Sequence, residues 1–449
     1  MKKPECPPRF DKTTVNEVIS LLSENDEVKK YIKNANDEYF SWDELKRQPL
    51  PEGTDLNSLW HLVKLTRESS STTIKNFNKF NTQDLLFKFN VNISNTLQKK
   101  IHEIDLNCGG VLVSSNITPL IPKEDEKMYL LSSIMEEAIA SSQLEGATTT
   151  RSIAKEMLKT KRAPRDSAER MILNNYITLT RIIEIKDEKI TPQLIKTIQA
   201  TITKDTLEKE EWSGRFRNNN DVRVHDKLTN EIFHTPPSFD KIGPLIDAFC
   251  EYANSTEIDF IHPIVKASIL HFLIGYIHPF EDGNGRTARA IFYWYLISKN
   301  YWLFRYMSIS RVIINSPAKY TRAYLDTEQD DNDLTYFIKF QIKCVESARK
   351  ELKEYIIKKQ EEKNKIYDFL NKIPSINDRQ ALVLSLFSKN PKRIVTIQEL
   401  KERFGIVYQT ARTDLLELVN KKFLIKKKTG KKYTFFRSEN FDTIMSKLI

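Results

Sequence analysis

Cysteine is scarce in this 449-residue sequence: Cys6, Cys108, Cys250 and Cys344 stand far apart, with no metal-ligand spacing among them. That excludes a zinc ribbon and a disulfide framework, and it fits a reducing compartment. No stretch approaches the ~18 consecutive apolar residues that a membrane span needs. Met1-Lys-Lys-Pro opens without the apolar run of a secretory signal. The expectation is a soluble, cytoplasmic protein with no membrane partner. Glycine is also scarce, with 11 in the whole chain, so two glycines around one amide are conspicuous. What is present is an ordinary globular balance of 40% hydrophobic and 29% charged residues, and the length suggests roughly three domains.

Charge is unevenly placed. Asp378 to Ile449 holds 16 Lys/Arg against 7 Asp/Glu, so this last sixth carries nearly all of the net +10. A basic end of this kind suits an anionic partner, nucleic acid first among them, while a solvated helical tail would look the same by charge alone.

Helical periodicity dominates the rest. We divide the chain into an N-terminal helical or mixed region (1–120), a core (121–347), a helical linker (348–375) and a small C-terminal domain (376–449). In the first region Trp42, Trp60 and His61 read as packing residues, Leu59 opens an amphipathic helix, and Gly110 to Ser115 carries a weak strand signal.

The densest chemistry lies in His278-Pro-Phe-Glu-Asp-Gly-Asn-Gly-Arg-Thr-Ala-Arg289. Bulky residues at helical spacing flank it on both sides, so it reads as a tight loop between two buried helices. Gly283 and Gly285 let the backbone approach an anion closely, with successive N–H groups forming a nest at a helix start. Arg286 and Arg289, three apart, share a helix face and could clamp a polyphosphate. Asp282 is placed to hold a divalent cation, because magnesium prefers one carboxylate together with phosphate oxygens.

This stretch resembles the signature of the Fic family, His-Pro-Phe-x-Asp/Glu-Gly-Asn-Gly-Arg-x-x-Arg, with every fixed position present. The resemblance implies a mainly α fold, a helical bundle with a β-hairpin flap. It makes His278 the general base toward a target hydroxyl and Asp282 the Mg2+ ligand. Gly283, Asn284, Gly285, Arg286 and Arg289, with Thr287 and Ala288 between the arginines, would hold ATP. Family members typically move AMP from ATP to a Ser, Thr or Tyr hydroxyl of a target protein and release pyrophosphate.

A second segment belongs with the first. Met128, Leu131, Met135, Ala138 and Ile139 suggest one face of a helix over 125–146 that stops at Gly146. It ends Ser141-Ser-Gln-Leu-Glu145-Gly146, similar to the family's inhibitory helix, Ser/Thr-x-x-x-Glu-Gly/Asn. The resemblance pairs Glu145 with Arg289, where its carboxylate competes with the γ-phosphate for one guanidinium fork. ATP would then bind misaligned, and the transferase would be autoinhibited.

Between these segments, Thr191 caps a helix that begins at Pro192. Gly214 to Arg217, Asp221 to His225 and Glu231 to His234 read as a hairpin, the flap of the family, whose edge could pair with a target peptide. His225 and His234 read as solvent-facing hairpin residues. Beyond the signature, Ile309 to Ala348 is helical. Tyr320 and Tyr324, four apart, would wall the adenine pocket by resemblance, although aromatics at this spacing also build cores. Arg349 to Lys365 looks like a solvated helix.

The C-terminal domain resembles a winged helix-turn-helix: Ala381 to Phe387, Thr396 to Phe404 with a Thr396/Glu399 capping box, Tyr408 to Val419, and a basic hairpin around Thr429-Gly430. Gln409, Thr410, Arg412 and Thr413 would face a DNA groove, with Lys426, Lys427, Lys428, Lys431 and Lys432 on phosphates. Docking to a protein is the equal alternative. The leading expectation is an ATP-dependent protein adenylyltransferase restrained by Glu145, with a homodimer as one assembly open to it. Removal of AMP from a modified protein, and a DNA-binding regulator whose core senses nucleotide, remain open beside it.

Overall fold

α-Helix supplies most of the regular structure, and strands are few and short. The computed structural model describes residues 3–9, 19, 25–80, 87–108, 126–226, 229–255, 260–370, 376–391, 393–429 and 432–447. Among them no helix is long and apolar enough to cross a membrane. The chain divides into two units, residues 1–352 and 353–449.

The first unit opens with α1 (Asp26–Asp37), α2 (Trp42–Leu45) and α3 (Leu56–Ser70), whose N-caps are Asn25, Ser41 and Asp55. Each cap side chain accepts a first-turn N–H that would otherwise have no partner. Trp42 and Trp60 meet edge to face at 5.5 Å inside a cluster with Val28, Ile32 and Leu59. They are packing residues, as is His61, whose Nδ1 lies 2.7 Å from Asn57 O. A two-stranded ladder of β1 (Thr72–Thr73) and β2 (Asn90–Val91) and then α4 (Asn95–Cys108) complete this region. The strand signal at Gly110 to Ser115 lies outside the described residues.

The helix expected over 125–146 is α5 (Glu126–Leu144), followed by α6 (Arg151–Thr160), α7 (Ser167–Glu184) and α8 (Pro192–Thr203). Its buried face differs from the apolar count. Met128 and Leu131 are exposed, whereas Tyr129, Glu137, Ser141 and Ser142 are buried with Met135, Ala138 and Ile139. Counting only apolar side chains rotates the inferred face away from the polar positions that turn inward. Gly146, at φ 108°, ends the segment, and the Ala147 N–H bonds back to Ser142 O at 3.0 Å. Thr191 Oγ1 accepts the Leu194 N–H at 3.1 Å, so α8 begins at Pro192 as the sequence indicates.

After β3 (Val224–His225), β4 (Ile232–His234) and α9 (Ile242–Asn254) come α10 (Pro263–Ile277) and α11 (Asn284–Ser298). Nearly every residue of α10 and α11 is buried, the pattern of helices enclosed on all sides. They pack on each other, with α9 against α10 and with α5, α7 and α8 against α11. The helical stretch from Ile309 divides into α12 (Ile309–Ile314), α13 (Pro317–Gln329) and α14 (Thr335–Leu370), of which residues up to Leu352 belong to this unit.

In the second unit α15 (Asp378–Lys389), β5 (Ile394–Thr396), α16 (Ile397–Phe404) and α17 (Tyr408–Asn420) precede β6 (Leu424–Thr429), β7 (Lys432–Arg437) and α18 (Phe441–Lys447). The antiparallel sheet has the order β5-β7-β6. Its core gathers Val383, Phe387, Leu400, Leu415, Leu418 and Phe435. Strand β5 was not anticipated. Thr396 does cap α16, accepting the Glu399 N–H at 3.1 Å, but Glu399 bonds Arg393 instead of closing the expected capping box. Gly430 and Lys431 lie outside the described residues.

Candidate active site

α10 ends at His278 because that residue turns left-handed, with φ 49°. Its N–H still reaches Ile274 O at 3.0 Å, and its Nδ1 lies 3.1 Å from Gly275 O. Only a protonated Nδ1 makes the second contact a hydrogen bond, so the lone pair of the neutral ring sits on Nε2. Burial pushes the pKa down to about 4, with His234 and Arg217 acting in the same direction and the Gly275 carbonyl and Glu145 opposing. Near neutral pH the ring is a proton acceptor.

The loop beyond it is locked. Phe280 is fully buried. Asn284 clamps it twice: its Oδ1 takes the Phe280 N–H at 2.9 Å and its Nδ2 donates to Phe280 O at 2.8 Å. Any part Asn284 takes in holding a ligand therefore falls to its backbone. Gly283 has φ 87°, and a Cβ there would come within 2.8 Å of Thr203 Cγ2. Gln199, fully buried on α8, donates to Asp282 O at 3.1 Å and accepts from Gly214 N at 2.7 Å, tying the loop to the segment before β3.

α11 starts here, so its unpaired N–H groups face the loop. Arg286 is wholly buried. Its Nη2 donates to Asp282 Oδ2 at 2.9 Å and its Nη1 to Ile202 O at 3.3 Å. Arg286 Nε and Thr287 Oγ1 are buried with no hydrogen-bond partner among the described residues. Ala288 is buried in the helix packing. Asp282 is half-exposed. Among the described residues no cluster of three His, Cys, Asp or Glu could hold a metal alone. A cation on Asp282 would need oxygens from a ligand.

Arg289 is bound by α5. Its Nε donates to Ser141 Oγ at 2.8 Å, and its Nη2 donates to Ser141 O at 3.0 Å and to Glu145 Oε1 at 2.7 Å. Burial alone would raise the Glu145 pKa, but the Arg289 and Arg286 guanidiniums hold it below the usual carboxylate value. Its carboxylate fills the space above Gly285, where a Cβ would lie 2.1 Å from Glu145 Oε1. Two turns earlier on the same face, Glu137 is 3% exposed. It accepts from Tyr293 Oη at 2.9 Å, Ser308 Oγ at 2.8 Å, Ser310 N at 3.0 Å and Ser310 Oγ.

Tyr320 and Tyr324 meet edge to face at 5.3 Å. Tyr324 stacks on Phe272 at 5.0 Å, and its hydroxyl would lie 2.5 Å from a Cβ at Gly275. Tyr320 Oη lies 2.9 Å from Nε2 of the buried His271. Both tyrosines thus pack into an aromatic wall, and Tyr320 is close enough for Arg289 to oppose the rise that burial imposes on its pKa.

The hairpin comprises β3 and β4 only. Gly214 to Arg217 is a strap: Arg217 donates from N to Pro279 O at 2.9 Å, from Nε to His278 O at 3.0 Å, from Nη1 to Asn219 O at 2.7 Å and from Nη2 to Pro237 O. His225 is exposed as expected. His234 corrects the sequence reading. It is 9% exposed, with Nε2 2.7 Å from Tyr276 O and Nδ1 2.7 Å from Glu328 Oε2, because it fills the gap between the hairpin and α10. Arg217, Gln199, Glu137 and His234 escaped the sequence reading. The available signal for Gln199 and Glu137 was a polar residue at an inward helix position.

In the second unit Gln409, Arg412 and Thr413 of α17 and Lys426, Lys427 and Lys428 of β6 are exposed, and Thr410 is partly so. The Lys432 side chain is not described.

Comparison with known proteins gives the frame for this geometry. Residues 189–296 match the Fic/DOC family and residues 379–434 match the DeoR-like helix-turn-helix domain. A protein adenylyltransferase Fic of Nematostella vectensis is 29% identical over 214 residues, covering 46% of this chain and 45% of that protein. One from Aedes aegypti is 30% identical over 115 residues, covering 25% and 21%. The chain therefore spans less than half the length of these curated relatives. A crystal structure of a Fic family protein from Desulfovibrio desulfuricans G20 aligns with TM-score 0.48 at 18% identity, over 76% of this chain and 94% of that one. A Fic domain containing signaling protein from Bacteroides thetaiotaomicron aligns with TM-score 0.45 at 18% identity, over 57% and 96%.

Proposed function

We propose that this chain, which carries a Fic domain and a DeoR-like helix-turn-helix domain, is a protein adenylyltransferase that transfers AMP from ATP to a hydroxyl of a target protein and is restrained by Glu145. One observation supports this most: the Glu145 carboxylate sits 2.7 Å from Arg289 and directly over Gly285, at the mouth of an anion nest. Arg286 Nε and Thr287 Oγ1, buried without partners among the described residues, add donor capacity beside that nest. The donor set suits the phosphates of a nucleoside triphosphate.

The chemistry follows from the groups present. His278 Nε2 accepts the proton of the target hydroxyl. The freed oxygen attacks the α-phosphorus, the bond from that phosphorus to the oxygen bridging the β-phosphate breaks, and pyrophosphate leaves. Backbone N–H groups of α11, Arg286 and Arg289 hold the phosphates and offset developing charge. Asp282 would hold a magnesium ion against the phosphates, and the ion would supply charge neutralisation of the leaving group. With Glu145 in place, Arg289 is spent on α5 and the triphosphate cannot align for in-line attack.

ATP labelled at the α-phosphate tests this reading. Glu145→Gly protein should label itself or a lysate protein, and adding His278→Ala should abolish it. Tight ATP binding by Glu145→Gly with no transfer would refute it.

The second unit favours an added role. Its match to a helix-turn-helix domain, its exposed Gln409, Arg412 and Thr413, and the lysines of β6 support DNA binding. A salt-dependent shift of random duplex DNA, lost on deleting residues after Ile376, is the expected result. A shift that persists without that tail would overturn it.

A further inference from the structure

The turn that carries His278 leaves carbonyls that no helical bond satisfies. Ile274 O takes the His278 N–H, and Gly275 O faces His278 Nδ1. The next are held by the hairpin segment. Tyr276 O lies 2.7 Å from His234 Nε2, His278 O accepts from Arg217 Nε at 3.0 Å, and Pro279 O accepts from Arg217 N at 2.9 Å. Arg217 lies on the strap before β3 and His234 ends β4, so strap and hairpin grip the turn of the base from two sides. Its strands have two and three residues, too few to hold a fixed position without anchors.

We propose that His234, oriented by Glu328, is a positioning residue that fixes the register of the β3–β4 hairpin against His278. It thereby sets where an acceptor hydroxyl carried along that hairpin meets the imidazole. This rests on the transferase reading above. With His234 removed, the polar anchors to the signature loop that remain lie before β3, at Arg217 and at Asn219, whose Nδ2 donates to Glu281 Oε1 at 2.7 Å, and the hairpin can swing about them. A displacement of about 1 Å between reacting groups costs about 100-fold in rate.

Both ring nitrogens of His234 face oxygen acceptors, a carbonyl and a carboxylate, so the ring is held at both ends. The charged and titratable groups facing the pair come from each packed element. His278 ends α10. Glu328 lies on α13. Beyond Glu328 a cavity of about 420 Å³ is lined by Lys3 and Arg9, by Lys64 of α3, and by Asp330 and Asp331. Lys64 is itself paired with Asp330 at 2.6 Å.

The test uses the full chain in the Glu145→Gly background, with His234→Gln, Glu328→Gln and His234→Arg. Self-labelling at saturating ATP should fall about 10- to 100-fold in His234→Gln, while ATP affinity by calorimetry stays within about two-fold. His234→Arg, whose guanidinium can donate to both the Tyr276 carbonyl and the Glu328 carboxylate, should restore the rate. Hydrogen exchange of the β3 and β4 amides should accelerate in His234→Gln and Glu328→Gln, also in the otherwise wild-type chain. Parental labelling in His234→Gln, loss of ATP binding together with rate, or unchanged exchange would overturn the proposal. A parent that labels nothing would instead overturn the transferase reading, and the exchange measurement would still decide the anchoring.

Discussion

Glu137 gives the sharpest energetic prediction. Four donors converge on its buried carboxylate: Tyr293 Oη, Ser308 Oγ, Ser310 N and Ser310 Oγ. Glu137→Ala would leave them unequally. Tyr293 Oη has Met307 O at 3.2 Å as a second acceptor, and Ser308 is partly exposed and can turn to water. Ser310 is fully buried, so its N–H and hydroxyl would be orphaned together. At about 1–3 kcal/mol for each buried unsatisfied donor, the cost is roughly 2–6 kcal/mol. Because Glu137 and Ser141 lie four apart on one face of α5 and Glu145 follows four further on, just past its end, the same change loosens the seat of Glu145. Calorimetry of the full chain should show the transition of the larger unit shifted down. Labelling should rise in the wild-type background and gain nothing further when Glu145→Gly is present. A stability change under about 1 kcal/mol, or a fall in labelling in the Glu145→Gly background without loss of folded protein, would refute the reasoning.

Three other outcomes follow from the site. In the Glu145→Gly background, kcat/KM for ATP should rise as pH increases through about 4 and stay level above it on that limb, because burial holds the His278 pKa there and the base works only when neutral. Glu145 favours the imidazolium, so its removal moves this limb downward; a limb near 6.5 would contradict the burial argument. Asp282→Asn should keep the contact to Arg286 through its amide oxygen yet shift the magnesium dependence of labelling to higher concentration, and an unchanged magnesium titration would remove Asp282 from that role. Replacing Lys426, Lys427 and Lys428 by alanine should lower the steepness of salt dependence in duplex DNA binding by about 0.9 for each phosphate no longer neutralised, and an unaltered slope would exclude β6 from the interface.

The features legible in the sequence were the local ones. Thr191 and Pro192 announce a helix start, and Gly283 sits where φ is positive and a Cβ would strike Thr203. Ser141 to Gly146 and His278 to Arg289 each form a pattern within one short stretch of chain, and their meeting across 144 positions, Glu145 on Arg289, was reached only through family resemblance. Pairings with no local spacing stayed hidden. Gln199 reaches Asp282 and Gly214, Arg217 straps the loop after α10, and His234 turns inward to Tyr276 from a strand that looked solvated. The face of α5 was misjudged because Glu137 and Ser141 face inward despite their polarity, paired by donors far along the chain. Strand β5 is only three residues long and shares its residue Thr396 with the cap of α16, so no alternation was available to reveal it.

Mass spectrometry of a cognate lysate incubated with ATP and full-length Glu145→Gly protein tests the central claim most directly. The account predicts an adenosine monophosphate group on a Ser, Thr or Tyr side chain, absent when His278→Ala is added. Bound ATP with no such adduct on any protein, or a transferred phosphate in its place, would contradict it.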